Sequence, residues 1–296
     1  MATISLDTYR DAYPEIAADY TVPQRWAEYT DEEHAVWNLL GERQAALLPG
    51  RACDEFLAGL DMLGLQAGGV PDFDQLSAVL GARTGWQIVA VPGLVPDDVF
   101  FAHLANRRFP AGRFIRRREQ LDYLQEPDVF HDVFGHVPML AHPVFADYLQ
   151  AYGEGGLRAQ GLGVLPQLAR LYWYTVEFGL LAAPGGLRIY GAGIVSSASE
   201  SRFALTDPSP HRVTFALERV MRTRYRIDDF QQVYFVIDDF EQLLRETAER
   251  DFAPVYRRLA RLEDLAPDAL AADDRVLHHG TQAYAQARRA GLTGTA

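Results

Sequence analysis

His131 and His136 stand five residues apart in the run Glu126-Pro127-Asp128-Val129-Phe130-His131-Asp132-Val133-Phe134-Gly135-His136-Val137-Pro138. This spacing constrains the backbone that carries them. On a regular helix of 3.6 residues per turn, positions five apart diverge by roughly 140° around the axis. Only positions three or four apart share a face. If both imidazoles serve one centre, their helix must end or distort locally, and Gly135 with Pro138 offers a place for that. Taken alone, the pair is more plainly read as two core histidines satisfied by hydrogen bonds.

A carboxylate further along adds a second constraint. Glu177 sits in Leu171-Tyr172-Trp173-Tyr174-Thr175-Val176-Glu177-Phe178-Gly179, an aromatic and apolar stretch. A charge among such neighbours is costly unless it is paired or bound to a metal. A salt bridge to an arginine is one solution. The other is a shared cation: two neutral imidazoles and one carboxylate cover one face of an ion and leave the opposite face open, the ligand set of mononuclear non-haem Fe(II) oxygenases.

Charge narrows the partners. The 296-residue chain carries 40 acidic against 28 basic residues, a net −12, which argues against a nucleic-acid partner because phosphate binding needs a basic face. The local exception, Arg107, Arg108, Arg113, Arg116, Arg117 and Arg118, is read as a solvated face or an ion-pair network. Cys53 is the only cysteine, so no intrachain disulfide can form, which suits a reducing cytoplasm. The N-terminus lacks a basic segment followed by an apolar run, and no stretch approaches the ~18 apolar residues of a membrane span.

Pattern and punctuation predict a mainly α fold with a few short β-strands (α+β), built as one domain at 31–265 between an N-terminal arm, 1–30, and a C-terminal tail, 266–296. Thr30-Asp31-Glu32-Glu33 opens a helix that runs to about Leu48. Helices are expected over 51–63, 72–82 and 99–104, with a strand at 86–91. Pro127 suits the first turn of the histidine helix, which should end near 135–138. The longest helix is expected over 165–181, stopped by Pro184-Gly185-Gly186. Strands at 187–190 and 233–237 and a helix over 238–260 follow, after which the pattern weakens.

Three ordered blocks carry a specific resemblance: Glu126-Pro127-Asp128 with His131, His136-Val137-Pro138; Tyr172-Trp173-Tyr174-Thr175-Val176-Glu177-Phe178-Gly179-Leu180; and Tyr190-Gly191-Ala192-Gly193-Ile194-Val195-Ser196-Ser197 with Glu200. Together they resemble the signatures of the pterin-dependent aromatic amino acid hydroxylases, over about residues 30–260. The resemblance implies His131, His136 and Glu177 as ligands of Fe(II), with a tetrahydropterin (tetrahydrobiopterin or a relative) and O2 as co-substrates. It implies Phe100 as the ring that stacks on the pterin, with Gly93, Asp132 and Tyr172 lining the same site. Arg116 matches the arginine that grips the amino acid carboxylate, held by Asp128. Pro127 and Trp173 match the walls of the substrate ring, Ser196 a hydroxyl that supports an iron-bound histidine, and Ile227 an aliphatic specificity position. Gln125, Leu124 and Asp132 depart from what animal members commonly carry. His103, His142, His211, His278 and His279 match no family ligand and are taken as structural or surface residues.

The apolar Ile227 and the presence of Trp173 favour L-phenylalanine, because a buried phenol without a partner would leave a polar group unsatisfied. The expectation is a phenylalanine 4-monooxygenase of the bacterial kind, monomeric and cytoplasmic. Tryptophan or tyrosine hydroxylation is the alternative within the family. Outside it stand a zinc hydrolase with Asp132 as general base, and a non-catalytic binder of aromatic amino acids. The zinc reading is weakened by the histidine spacing, since common zinc proteases place theirs four apart.

Overall fold

The computed structural model describes residues 5–122, 124, 126–248 and 250–291. Gln125 and the outermost residues of the expected arm and tail lie outside them. The chain is mostly helical, with seven short strands among the described residues. It folds as two compact units, Met1–Ala46 with Asp54–Gly163, and Leu47–Cys53 with Val164–Ala296.

In the first unit, the helix Asp31–Leu47 starts where expected. Thr30 Oγ1 accepts the backbone N–H of Glu33 (3.2 Å), and the Glu33 carboxylate accepts that of Thr30 (2.8 Å), a reciprocal cap that satisfies two otherwise orphaned donors. Helices Asp54–Met62 and Phe73–Thr84 follow, the latter capped by Asp72 and closed by Gly85 at φ +77°. Strand β1 (Gln87–Val91) and strand β2 (Arg108–Gly112) pair in parallel, joined by the helix Asp97–Ala105. The second strand was not anticipated, because it starts inside the arginine cluster. Those arginines form ion pairs: Arg108 with Asp19 at 2.8 Å, Arg118 with Glu32 at 2.9 Å, Arg107 with Asp147 and Arg116 with Asp128.

The longest helix is Pro143–Leu162, not the expected 165–181. No element is expected from the sequence over 143–162, whose four glycines disfavour a helix; two of them, Gly153 and Gly156, are contact points. A Cβ on Gly153 would fall 2.4 Å from the Ala105 nitrogen, and one on Gly156 only 2.0 Å from the Phe101 ring. Glycine here permits the 97–105 helix to approach at backbone distance, and that packing outweighs its poor helix propensity.

The second unit is built on a five-stranded sheet of order β4-β3-β6-β5-β7, with β3 at Leu180–Ala183, β4 at Gly186–Ile189, β5 at His211–Thr214, β6 at Val233–Ile237 and β7 at Val276–His278. Every residue of β6 is buried, the uninterrupted apolar pattern of a central strand with parallel neighbours on both sides. The helix expected over 165–181 stops at 177. Residues 180 and 181 pair with both β4 and β6 instead, and Pro184-Gly185-Gly186 turns a hairpin rather than capping a helix, using φ of +91° and +121°. The helix expected over 238–260 divides into Phe240–Thr247 and Phe252–Leu259, because Asp251 turns its carboxylate onto the Ala253 N–H (2.9 Å) and caps a new start. Beyond 267 the chain forms β7 and the helix Ala283–Arg289.

Candidate metal centre

Residues Phe130–His136 form a π-helix, continued by an α-turn at Val137–Leu140. Hydrogen bonds from i to i+5 widen the turn, so residues five apart come round to the same side. The π-helix ends at His136, within the expected 135–138, but the chain runs on into the α-turn that Pro138 helps to open; Pro127 lies before the helix rather than in its first turn. His136 Nε2 is 3.3 Å from His131 Nε2, with the rings 86° apart. Metal–nitrogen bonds of about 2.0–2.1 Å meeting near a right angle would separate their nitrogens by ~3 Å, so this pair fits one ion. His136 is 5% exposed, and Phe109 of β2 lies against its ring at 5.0 Å. Phe109 escaped the sequence reading because β2 did.

Glu177 ends a second π-helical segment, Trp173–Glu177. It is 9% exposed. The 191–193 turn packs on it so closely that a Cβ on Gly193 would come within 3.2 Å of the Glu177 carboxylate, and one on Gly191 within 2.4 Å of its carbonyl oxygen. His131, His136 and Glu177 each offer a ligand atom, all within 4.8 Å of one another, and they are the only such His/Cys/Asp/Glu group among the described residues.

Asp128 organises the approach to the histidines. Its carboxylate accepts from Arg116 Nε (2.9 Å), Arg116 Nη2 (2.8 Å), the Arg116 backbone N–H (2.8 Å) and the His131 backbone N–H (3.0 Å). Burial alone would raise its pKa; the Arg116 guanidinium and these hydrogen bonds outweigh burial and hold it below the usual carboxylate value. Asp132 accepts the Gly112 N–H at 2.7 Å, which pins it to the end of β2. Gly93 follows β1, where a Cβ would meet Glu126 at 2.9 Å and the Tyr9 hydroxyl at 3.2 Å. Phe100 is half-buried on the 97–105 helix beside Phe101.

In the second unit Tyr172 and Trp173 are half-buried. The Trp173 indole stacks on Tyr225 at 4.4 Å and donates its N–H to Gln231 Oε1 at 3.1 Å. Neither Tyr225 nor Gln231 was singled out in the sequence; both are polar residues near a turn, and only the fold brings them to Trp173. Ser196 donates to the Ala192 carbonyl at 2.7 Å, and Ile227 is 74% exposed. Glu200 is buried, and burial pushes its carboxyl up to about 8 despite hydrogen bonds from the Tyr234 hydroxyl and the Gln231 backbone N–H. Three of the other histidines have structural partners: His103 bonds the Asp19 carbonyl, His142 caps the 143–162 helix, and His211 accepts the Gly280 N–H. His278 stands by the Pro208 carbonyl.

Comparison with known proteins places this geometry. A family model described as biopterin-dependent aromatic amino acid hydroxylase matches residues 5–264. The phenylalanine-4-hydroxylase of Caulobacter vibrioides is 65% identical over 274 residues, 93% of each chain. A crystal structure of phenylalanine hydroxylase from Chromobacterium violaceum with iron and phenylalanine bound superposes with a TM-score of 0.85 at 57% identity, covering 93% of this chain and all of that one. A cobalt-bound structure from the same organism gives 0.88 at 58% identity, covering 94% of this chain and all of that one.

Proposed function

This chain belongs to the biopterin-dependent aromatic amino acid hydroxylases, and on that premise we propose that it converts L-phenylalanine to L-tyrosine with O2 and a tetrahydropterin at a mononuclear Fe(II) site. The observation that carries the reading is the convergence of His131, His136 and Glu177 to within 4.8 Å. Iron and the reduced pterin, when bound, supply the activation of O2 and the electrons for it.

The protein's own residues perform binding, orientation and exclusion of water. One π-helical segment carries both imidazoles and the other carries the carboxylate. Arg116 receives the amino acid carboxylate. Asp128 occupies its Nε–Nη2 edge, so the substrate takes the Nη1 side of the fork, and the buried ion pair fixes the direction of approach. Pro127 and Trp173 wall the ring, Phe100 stacks on the pterin beside Gly93, Asp132 and Tyr172, and Ser196 supports the metal ligands. Ile227, 74% exposed, carries no group that would bond a phenol, and this favours phenylalanine over tyrosine. A domain at 31–265 carries the chemistry, framed by the segments 1–30 and 266–296. The enzyme acts as a cytoplasmic monomer; no helix among the described residues is long and apolar enough to cross a membrane.

The test is product analysis. Purified protein loaded with Fe(II) and given tetrahydropterin, O2 and the three aromatic amino acids in competition is expected to release tyrosine from phenylalanine. Absence of tyrosine from the iron-loaded protein would refute the reading, and sedimentation analysis tests the monomer.

A further inference from the structure

The matched family region ends at residue 264, yet the chain beyond it is tied closely to the loop that bears Ile227. Asp229, two residues on, has a side chain only 3% exposed. Its two carboxylate oxygens accept from the Tyr284 hydroxyl and from Arg288 Nε, each at 2.8 Å. Both donors come from the helix Ala283–Arg289. The next residue, Phe230, stacks on Phe203 at 4.5 Å and meets the Tyr284 ring at 5.2 Å.

The following residue faces inward. Gln231, 1% exposed, holds the Trp173 indole N–H through Oε1, while its amide donates to the carbonyls of Arg226 and Asp229. One short loop is therefore gripped on two sides, by Trp173 and by the C-terminal helix. The helix is itself anchored ahead of its first turn. Gln282 donates to the Gln232 carbonyl (3.0 Å), the Gln282 backbone N–H bonds the Ser209 carbonyl (2.9 Å), and a Cβ on Gly280 would strike Ser209 and Pro210 within 2.5 Å.

We propose that the helix Ala283–Arg289 is a positioning element for substrate selection: Tyr284 and Arg288 clamp Asp229, and so set where Ile227 and Trp173 stand. The three clamp residues act through the loop and not on the substrate itself. This rests on the reading above that Ile227 and Trp173 contact the amino acid ring. A two-pronged hold on a carboxylate restricts both translation and rotation of the loop, which a single bond does not. Its loss leaves the iron ligands in place and loosens one wall.

The experiment compares the double variant Tyr284→Phe/Arg288→Gln with Ile227→Ala and the parent, all as full-length, iron-loaded enzyme. Losing the hold on Asp229 should raise the KM for phenylalanine about threefold to tenfold, equivalent to about 0.7–1.4 kcal/mol. Tyrosine formed per pterin oxidised should fall, while the KM for tetrahydropterin stays unchanged. Arg288→Lys, which keeps a cationic donor, should recover part of the loss. If the double variant does not fold, Tyr284→Phe alone, lacking one hydroxyl, is read in the same way. An unchanged phenylalanine KM and coupling ratio, with Ile227→Ala altering both, overturns the clamp alone. If Ile227→Ala is also silent, the reading of the loop fails and the clamp falls with it.

Discussion

His131 Nε2 and His136 Nε2 face each other at 3.3 Å with their rings nearly perpendicular. Two imidazole lone pairs at that distance repel unless a proton or a cation lies between them. The Glu177 carboxylate, within 4.8 Å of both, adds the charge that favours the cation. His136→Ala is expected to weaken iron binding by more than ~100-fold, beyond what loss of an outer partner costs. Metal analysis after dialysis checks this, and full iron retention would remove the pair from the centre.

Asp128 and Arg116 form a buried pair, 0% and 9% exposed. Removing one partner leaves the other uncompensated, so Asp128→Ala should cost about 3–5 kcal/mol of stability in denaturant titration. It should also raise the KM for phenylalanine more than it lowers kcat, because the guanidinium loses its fixed edge. A proportionate fall in kcat alone would separate Asp128 from substrate binding.

Glu200 makes stability depend on pH in a defined direction. Its folded pKa, about 8, lies above the ordinary 4.5. Between those values the folded protein keeps a proton that the unfolded chain releases, so stability should fall as pH rises from about 4.5 to about 8. The loss approaches ~1.4 kcal/mol per pH unit and amounts to a few kcal/mol across the window. Glu200→Gln should flatten that slope. Parallel melting curves of variant and parent across the window would count against it.

Gly156 and Gly155 are neighbours with opposite demands. A Cβ on Gly156 would stand 2.0 Å from Phe101, whereas one on Gly155 meets only the tip of Arg158 at 3.9 Å. Gly156→Ala should destabilise by about 1–3 kcal/mol through overpacking. Gly155→Ala should be neutral or gain up to ~1 kcal/mol of helix propensity. Equal melting temperatures for the two variants would show that the helices can part at little cost.

Much of the site was legible because its chemistry is local. The spacing of His131 and His136 required a helix end or a local distortion if both were to share one ion, and the apolar setting of Glu177 required a partner; neither depends on knowing the fold. Capping residues such as Thr30 and Asp72, whose hydrogen bonds close within three residues, marked helix starts for the same reason. Misread elements were those whose local signal opposes their final state. Gly153 and Gly156 and the leucines at 180 and 181 take their conformation from neighbours distant in the chain, through contact with the 97–105 helix and through pairing with β4 and β6.

The sequence by itself determined which side chains could bind iron and that, if His131 and His136 share one ion, their helix could not be regular. Short-range sterics and ligand chemistry are written in residue type and spacing. Only the tertiary structure decided that the distortion is a π-turn rather than a helix end, that Gln231 holds Trp173, and that a helix near residue 284 grips the loop at 229. Those contacts join residues five to sixty positions apart by geometry that no local pattern encodes, and their free energy exists only once the surrounding core excludes water.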